Sequence, residues 1–183
     1  MLWPFKHLSK PRARRTDTID AIYGMIVTQA RDPLFYRDLG VPDTVDGRFD
    51  LIVLHLWMVL RRLRQVAGGS EHAQALFDRF CVDMDDNLRE MGVGDLAVPK
   101  RMQAFGEAFY GRATAYDLAL SEGPAALAQA VCKNILNGRG TDGARRIAVY
   151  IQATVNGLDR LDGAALLATS WVFPGPLLEG ISP

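Results

Sequence analysis

Asp83, Asp86 and Glu90 stand at i, i+3 and i+7, which puts three carboxylates on one helix face. Such a face could supply part of a metal site. Di-metal bundles, however, also draw histidines from Glu-x-x-His pairs on facing helices. The chain has three histidines, His7, His55 and His72, and none has a glutamate or second histidine at a spacing that builds a ligand pair. Asp85, four residues before Arg89, is placed for a helical ion pair instead, so no metal or other cofactor is expected. His55, among Leu54, Leu56 and Trp57, reads as a hydrogen-bonded core histidine. Cys81 and Cys132 lie far apart in apolar helical patterns and read as reduced core thiols. No serine sits in a strand-to-helix elbow. The segment GVGDLAVPK lacks the Gly-Lys-Ser/Thr ending of a phosphate loop, and GRGTDG from Gly138 follows a helix, as a cap would. The expectation is a protein without an active site.

The remaining chemistry is electrostatic. Lys6, Lys10, Arg12, Arg14 and Arg15 give the first fifteen residues five cations and no acid, leaving sixteen basic and twenty-one acidic residues behind them. A net charge of zero thus combines a cationic arm with an acidic body. With Trp3 and Phe5 beside the cations, the arm could meet an anionic membrane surface or RNA. The alternative is a solvated, flexible terminus.

The elements are helical throughout. Thr16 or Asp17 can cap a first helix, whose apolar stripe is Ile19, Ile22, Tyr23, Ile26 and Val27. Asp32-Pro33 opens a short turn, and a long helix spans about Val45 to Ala67. Its stretch FDLIVLHLWMVL is apolar on nearly every side and marks the central helix. Gly68-Gly69 stops it. Leu76, Phe77, Phe80, Cys81, Met84, Leu88 and Met91 line the next helix up to Gly92. Pro99 opens another carrying Met102, Phe105, Phe109 and Tyr116, with Gly106 and Gly111 admitting a close neighbour. Three more follow at Pro124 to Leu136, Thr141 to about Val155, and Asp162 to about Trp171. The fold class is therefore all-α, a single irregular bundle of about seven helices. It divides into a flexible basic arm over 1–15, a helical domain over 16–173 and a Pro/Gly-rich tail over 174–183. Leu54, Trp57, Leu60, Phe77, Phe80, Phe105 and Phe109 are the expected core. No segment has the roughly 20 apolar residues of a bilayer span, and the N-terminus lacks a signal-peptide pattern. The expected location is cytoplasmic, with the inner-membrane surface as a peripheral site.

Four segments carry a more specific signal. HLWMVLRRL at His55 to Leu63, FCVDMDDNLREMGVGD at Phe80 to Asp95, VPKRM at Val98 to Met102 and FYGRATAYD at Phe109 to Asp117 occur in this order. Together they resemble the ubiquinol–cytochrome c chaperone family over roughly Ile19 to Leu120. The resemblance implies a non-catalytic all-α chaperone acting on cytochrome b during assembly of the bc1 complex. Mitochondrial members work with a small partner protein and associate with the ribosome. Within the matching segments Met84, Arg89, Met91, Met102, Tyr110, Arg112 and Tyr116 are candidates for client or partner contact, or else for core packing and bundle-core polar groups. Lys6, Lys10, Arg12, Arg14, Arg15, Trp3 and Phe5 are the candidates for membrane or RNA contact. The competing function is a peripheral membrane or RNA-binding adaptor working through that arm.

Overall fold

The computed structural model describes residues 10–176, with side chains from Thr16 onward. Trp3, Phe5 and Lys6 lie outside the described residues, as do the side chains of Lys10, Arg12, Arg14 and Arg15. The described residues form eight helices and no strand: α1 (Lys10–Ala30), α2 (Pro33–Arg37), α3 (Val45–Gln65), α4 (Gly69–Glu90), α5 (Val98–Glu122), α6 (Pro124–Asn134), α7 (Thr141–Asp159) and α8 (Gly163–Leu167). The first helix starts at Lys10 rather than at the Thr16 or Asp17 cap, so Lys10, Arg12, Arg14 and Arg15 belong to its opening turns. None of the described helices is long and apolar enough to cross a membrane.

Helix α3 is the hub, packing on α1, α4, α5 and α7. Its unbroken buried run from Leu51 to Leu60 follows from neighbours on several sides. The Thr44 side chain caps it by accepting the Gly47 amide at 3.1 Å. Three glycines are fixed by close approach, and on one of them, Gly69, a Cβ would lie 1.9 Å from the Leu63 carbonyl oxygen. A Cβ on Gly47 would lie 2.0 Å from the Pro42 carbonyl oxygen, and one on Gly143 would lie 2.2 Å from that of Leu39. The latter seats the first turn of α7 on the α2–α3 connection, where Arg146 also donates to the Asp38 carbonyl at 3.1 Å. Gly106 and Gly111, expected to admit a neighbour, have no described residue within 4 Å of where a Cβ would lie. Close approach occurs where helices start, not along the face of α5.

The expected core is correct for Leu54, Trp57, Leu60, Phe80 and Phe109, whereas Phe77 and Phe105 are half-buried on its flank. Cys81 and Cys132 are unpaired and also half-buried rather than enclosed. The C-terminal side departs furthest from expectation. α8 ends at Leu167, short of Trp171, and the chain then crosses the bundle as an irregular strap. Trp171 and Phe173 are buried, the indole donates to the Leu166 carbonyl at 2.8 Å, and Gln29 donates to the Pro174 carbonyl at 3.2 Å.

His55 is the core histidine expected. One ring nitrogen, Nδ1, lies 2.7 Å from the Leu51 carbonyl oxygen, and Nε2 lies 2.8 Å from the Tyr150 hydroxyl. A carbonyl only accepts, so Nδ1 carries the proton and Nε2 accepts from the tyrosine. Neutral imidazole thus satisfies both contacts, and burial pushes its pKa down to about 4.

Candidate functional site

The candidate surface forms where α4 and α5 meet, because the apolar stripe of α4 outruns its cover. Ala73, Leu76, Phe80, Met84 and Leu88 repeat at helical spacing and are buried. Met91 continues that stripe at the C-cap, beyond the packed neighbours, and is 57% exposed. On the same connection Leu96 is fully exposed, while Val98 is buried and anchors the start of α5. Half-buried Met102 and Phe105 follow, with Phe105 stacked on Phe49 at 4.9 Å between centroids. Tyr110 is 56% exposed, with its ring against Phe77 and Phe109.

Arg89 holds the connection in place. Its Nε donates to Asp85 at 2.6 Å, and its Nη1 pairs with Asp95 across the turn. Asp83 has its own structural partners: the Tyr23 hydroxyl donates to it at 2.8 Å, and Arg79 lies 3.9 Å away. Asp86 and Glu90 have no ion pair among the described residues. No group of three His, Cys, Asp or Glu side chains suited to a metal occurs among those residues.

Beneath the surface lies a polar cluster that binds α5 to α3. Arg112 Nη2 is 2.7 Å from the buried Asp50 carboxylate, and the guanidinium sits over the Phe49 ring. Next to it, the Trp57 indole donates to Asp117 at 2.9 Å and its ring packs on Tyr116. The Tyr116 hydroxyl and Arg112 Nε are buried without a hydrogen-bond partner among the described residues. Burial pushes the Asp50 carboxyl up to about 6, and Arg112 offsets only part of that shift.

The seven predicted contact residues therefore divide. Met91 and Tyr110 are exposed, Met102 is half-buried beside them, and Arg89 fastens their connection. Met84 and Tyr116 are core residues without access to a partner, and Arg112 is the half-buried counter-ion of Asp50. Sequence reasoning missed Leu96, whose signal was an apolar residue inside a Gly/Asp-rich loop. It also missed Asp50, an acid at the N-terminal edge of the apolar run of α3.

Asp50 and His55 oppose one another in acid. Folded His55 stays neutral down to about pH 4, whereas the unfolded histidine takes up a proton near 6.5, so its contribution makes stability rise with pH in that window. Folded Asp50 holds its proton up to about 6, against 3.8 unfolded, so its contribution falls as pH rises. Each effect is on the order of 3 kcal/mol, and they largely cancel. Asp50→Asn should therefore steepen the loss of stability below about pH 6 relative to the parent, as read by urea midpoints across that window. Parallel parent and variant curves would contradict this.

The family described as ubiquinol-cytochrome C chaperone matches residues 37–173. The chain is 30% identical to ubiquinol-cytochrome-c reductase complex assembly factor 1 of Xenopus laevis over 149 residues, covering 79% of this chain and 74% of the relative. It is 28% identical to the mitochondrial protein CBP3 of Saccharomyces cerevisiae over 158 residues, covering 81% of this chain but 47% of the yeast protein. The crystal structure of the Cbp3 homolog from Brucella abortus superposes with a TM-score of 0.82 at 32% identity, over 90% of this chain and 93% of that one. A family match across most of the helical domain, joined to the same fold at that identity, makes this chain a member of the ubiquinol–cytochrome c chaperone family.

Proposed function

We propose that this protein is an assembly chaperone for ubiquinol–cytochrome c reductase, and that it holds cytochrome b against the α4–α5 surface during biogenesis of the complex. The relatives named as assembly factors of that reductase support the first part. One observation carries the second: the buried stripe of α4 continues into solvent at Met91, beside a fully exposed Leu96. A membrane-inserting client is apolar and must be shielded from water, and a flexible methionine side chain suits segments of varied shape. Asp86 and Glu90 complement the Lys/Arg-rich flanks that membrane segments carry on their cytoplasmic side. The reading requires no catalytic step, since shielding and release need only reversible apolar contact.

The test is Met91→Asp with Leu96→Asp in the full chain. Both sites are exposed, and such substitutions ordinarily change stability by about 0.5 kcal/mol or less. Burying such side chains contributes about 1.5–3 kcal/mol each, so client affinity should fall by about tenfold or more. Cells carrying the variant should show reduced reductase content by haem b absorbance, at an unchanged level of chaperone. Normal reductase content would rule out this surface as the client site.

A further inference from the structure

On the far side of the bundle, α6 and α7 form a hairpin. Its inner flank is covered, because α5 packs on α6 and α3 packs on α7. Its outer flank is a groove of about 750 Å³. Ala125, Ala128 and Cys132 of α6 face Ala144, Ala148 and Ala153 of α7 across it. Alanines leave space that the hairpin's own side chains do not fill. The lining positions on α7 run from Thr141 to Asn156, about 22 Å at 1.5 Å per residue, the length of a helix of about fifteen residues.

The groove restricts its occupant in three ways. Its floor is made of small residues, so the side chains entering it are large and apolar. It is open on one side, so the opposite face of the occupant meets water and must be polar. That excludes a helix that is apolar all round and specifies an amphipathic one. Among the described residues no acid lines the groove, while Arg145 does. Arg145, Arg139 and Lys133 have no ion pair among the described residues. The Arg139 carbonyl lies 3.7 Å from Cys132 Sγ, which puts the α6–α7 turn at the same end as Arg145. We infer that this groove receives an amphipathic helix of a soluble partner protein, with large apolar residues on the alanine floor and a carboxylate meeting Arg145.

The test uses the full chain and three synthetic peptides of about fifteen residues. One has leucines at i, i+3, i+4 and i+7 and a glutamate near the end that meets Arg145. The second has lysine in place of that glutamate, and the third scrambles the leucines. Binding is read by fluorescence anisotropy and by the alkylation rate of Cys132, with Cys81 on α4 as internal control. The glutamate peptide should bind best and slow alkylation of Cys132 but not of Cys81. Ala125→Trp and Gln129→Trp, at exposed lining positions, should each weaken it by about tenfold. Arg145→Glu should transfer the preference to the lysine peptide. The inference fails if Cys132 is unprotected, if the scrambled peptide binds equally, or if charge reversal leaves the preference unchanged. It also fails if the chain alone forms a dimer that protects Cys132 and that Ala125→Trp dissociates, because the occupant would then be a second copy.

Discussion

Trp57→Ala should lower the unfolding free energy by about 3–5 kcal/mol, the usual cost of truncating a large aromatic side chain in a packed core. Trp57 is 2% exposed at the middle of α3, the helix that touches four others. Its ring packs on Tyr116, and its indole holds Asp117 of α5, so the truncation empties a cavity and also leaves α5 less firmly held. Urea unfolding should show a reduced midpoint at an unchanged slope, as expected when stability changes and the exposed surface does not. Trp57→Phe keeps most of the volume and loses the hydrogen bond, so its cost should be well below that of alanine. Parent stability in the alanine variant would contradict the placement of α3 at the centre.

Arg112→Ala should be comparably damaging at neutral pH. Removing one member of a buried ion pair strands the other, at a typical cost of about 3–5 kcal/mol. Arg112 is a quarter exposed and Asp50 almost fully buried, so the loss should fall toward the lower end. Acidification should reduce it further, because an unpaired Asp50 protonates and no longer buries a charge. The double variant Asp50→Leu/Arg112→Met should recover much of the loss, since apolar replacements of similar volume leave nothing unpaired. A cost for Arg112→Ala that persists undiminished at pH 5, or a double variant no better than the single, would show that the pair is not the coupling element between α3 and α5.

Much of this architecture was legible in the sequence because its signals are periodic. The continuous apolar run on α3, the Leu76–Phe80–Met84–Leu88 stripe on α4 and the proline at the start of α5 all appear where their spacing placed them. The same stripe pointed to Met91, and only the packing showed that the cover ends before it. Other features had no periodic signal. Alanines on α6 and α7 read as ordinary helix formers, so the groove they leave was invisible. The strap bearing Trp171 and Phe173 was obscured by the Pro/Gly content after it, although two aromatics close together indicated burial. Gly106 and Gly111 resembled close-approach positions, but that role falls to Gly47, Gly69 and Gly143, set by backbone carbonyls of the preceding turn or of a segment distant in the chain. The Asp50–Arg112 pair joins positions too far apart for any local pattern to connect.

The chaperone reading depends on contact with cytochrome b before the reductase is complete. The most direct measurement is a pulse of radiolabelled amino acid in the native host, followed by isolation of the tagged full chain at successive chase times. Labelled cytochrome b should co-isolate early, decline as label enters the mature reductase, and be lost from the Met91→Asp/Leu96→Asp variant. Absence of labelled cytochrome b at every chase time, with assembled reductase still accumulating, would contradict the account.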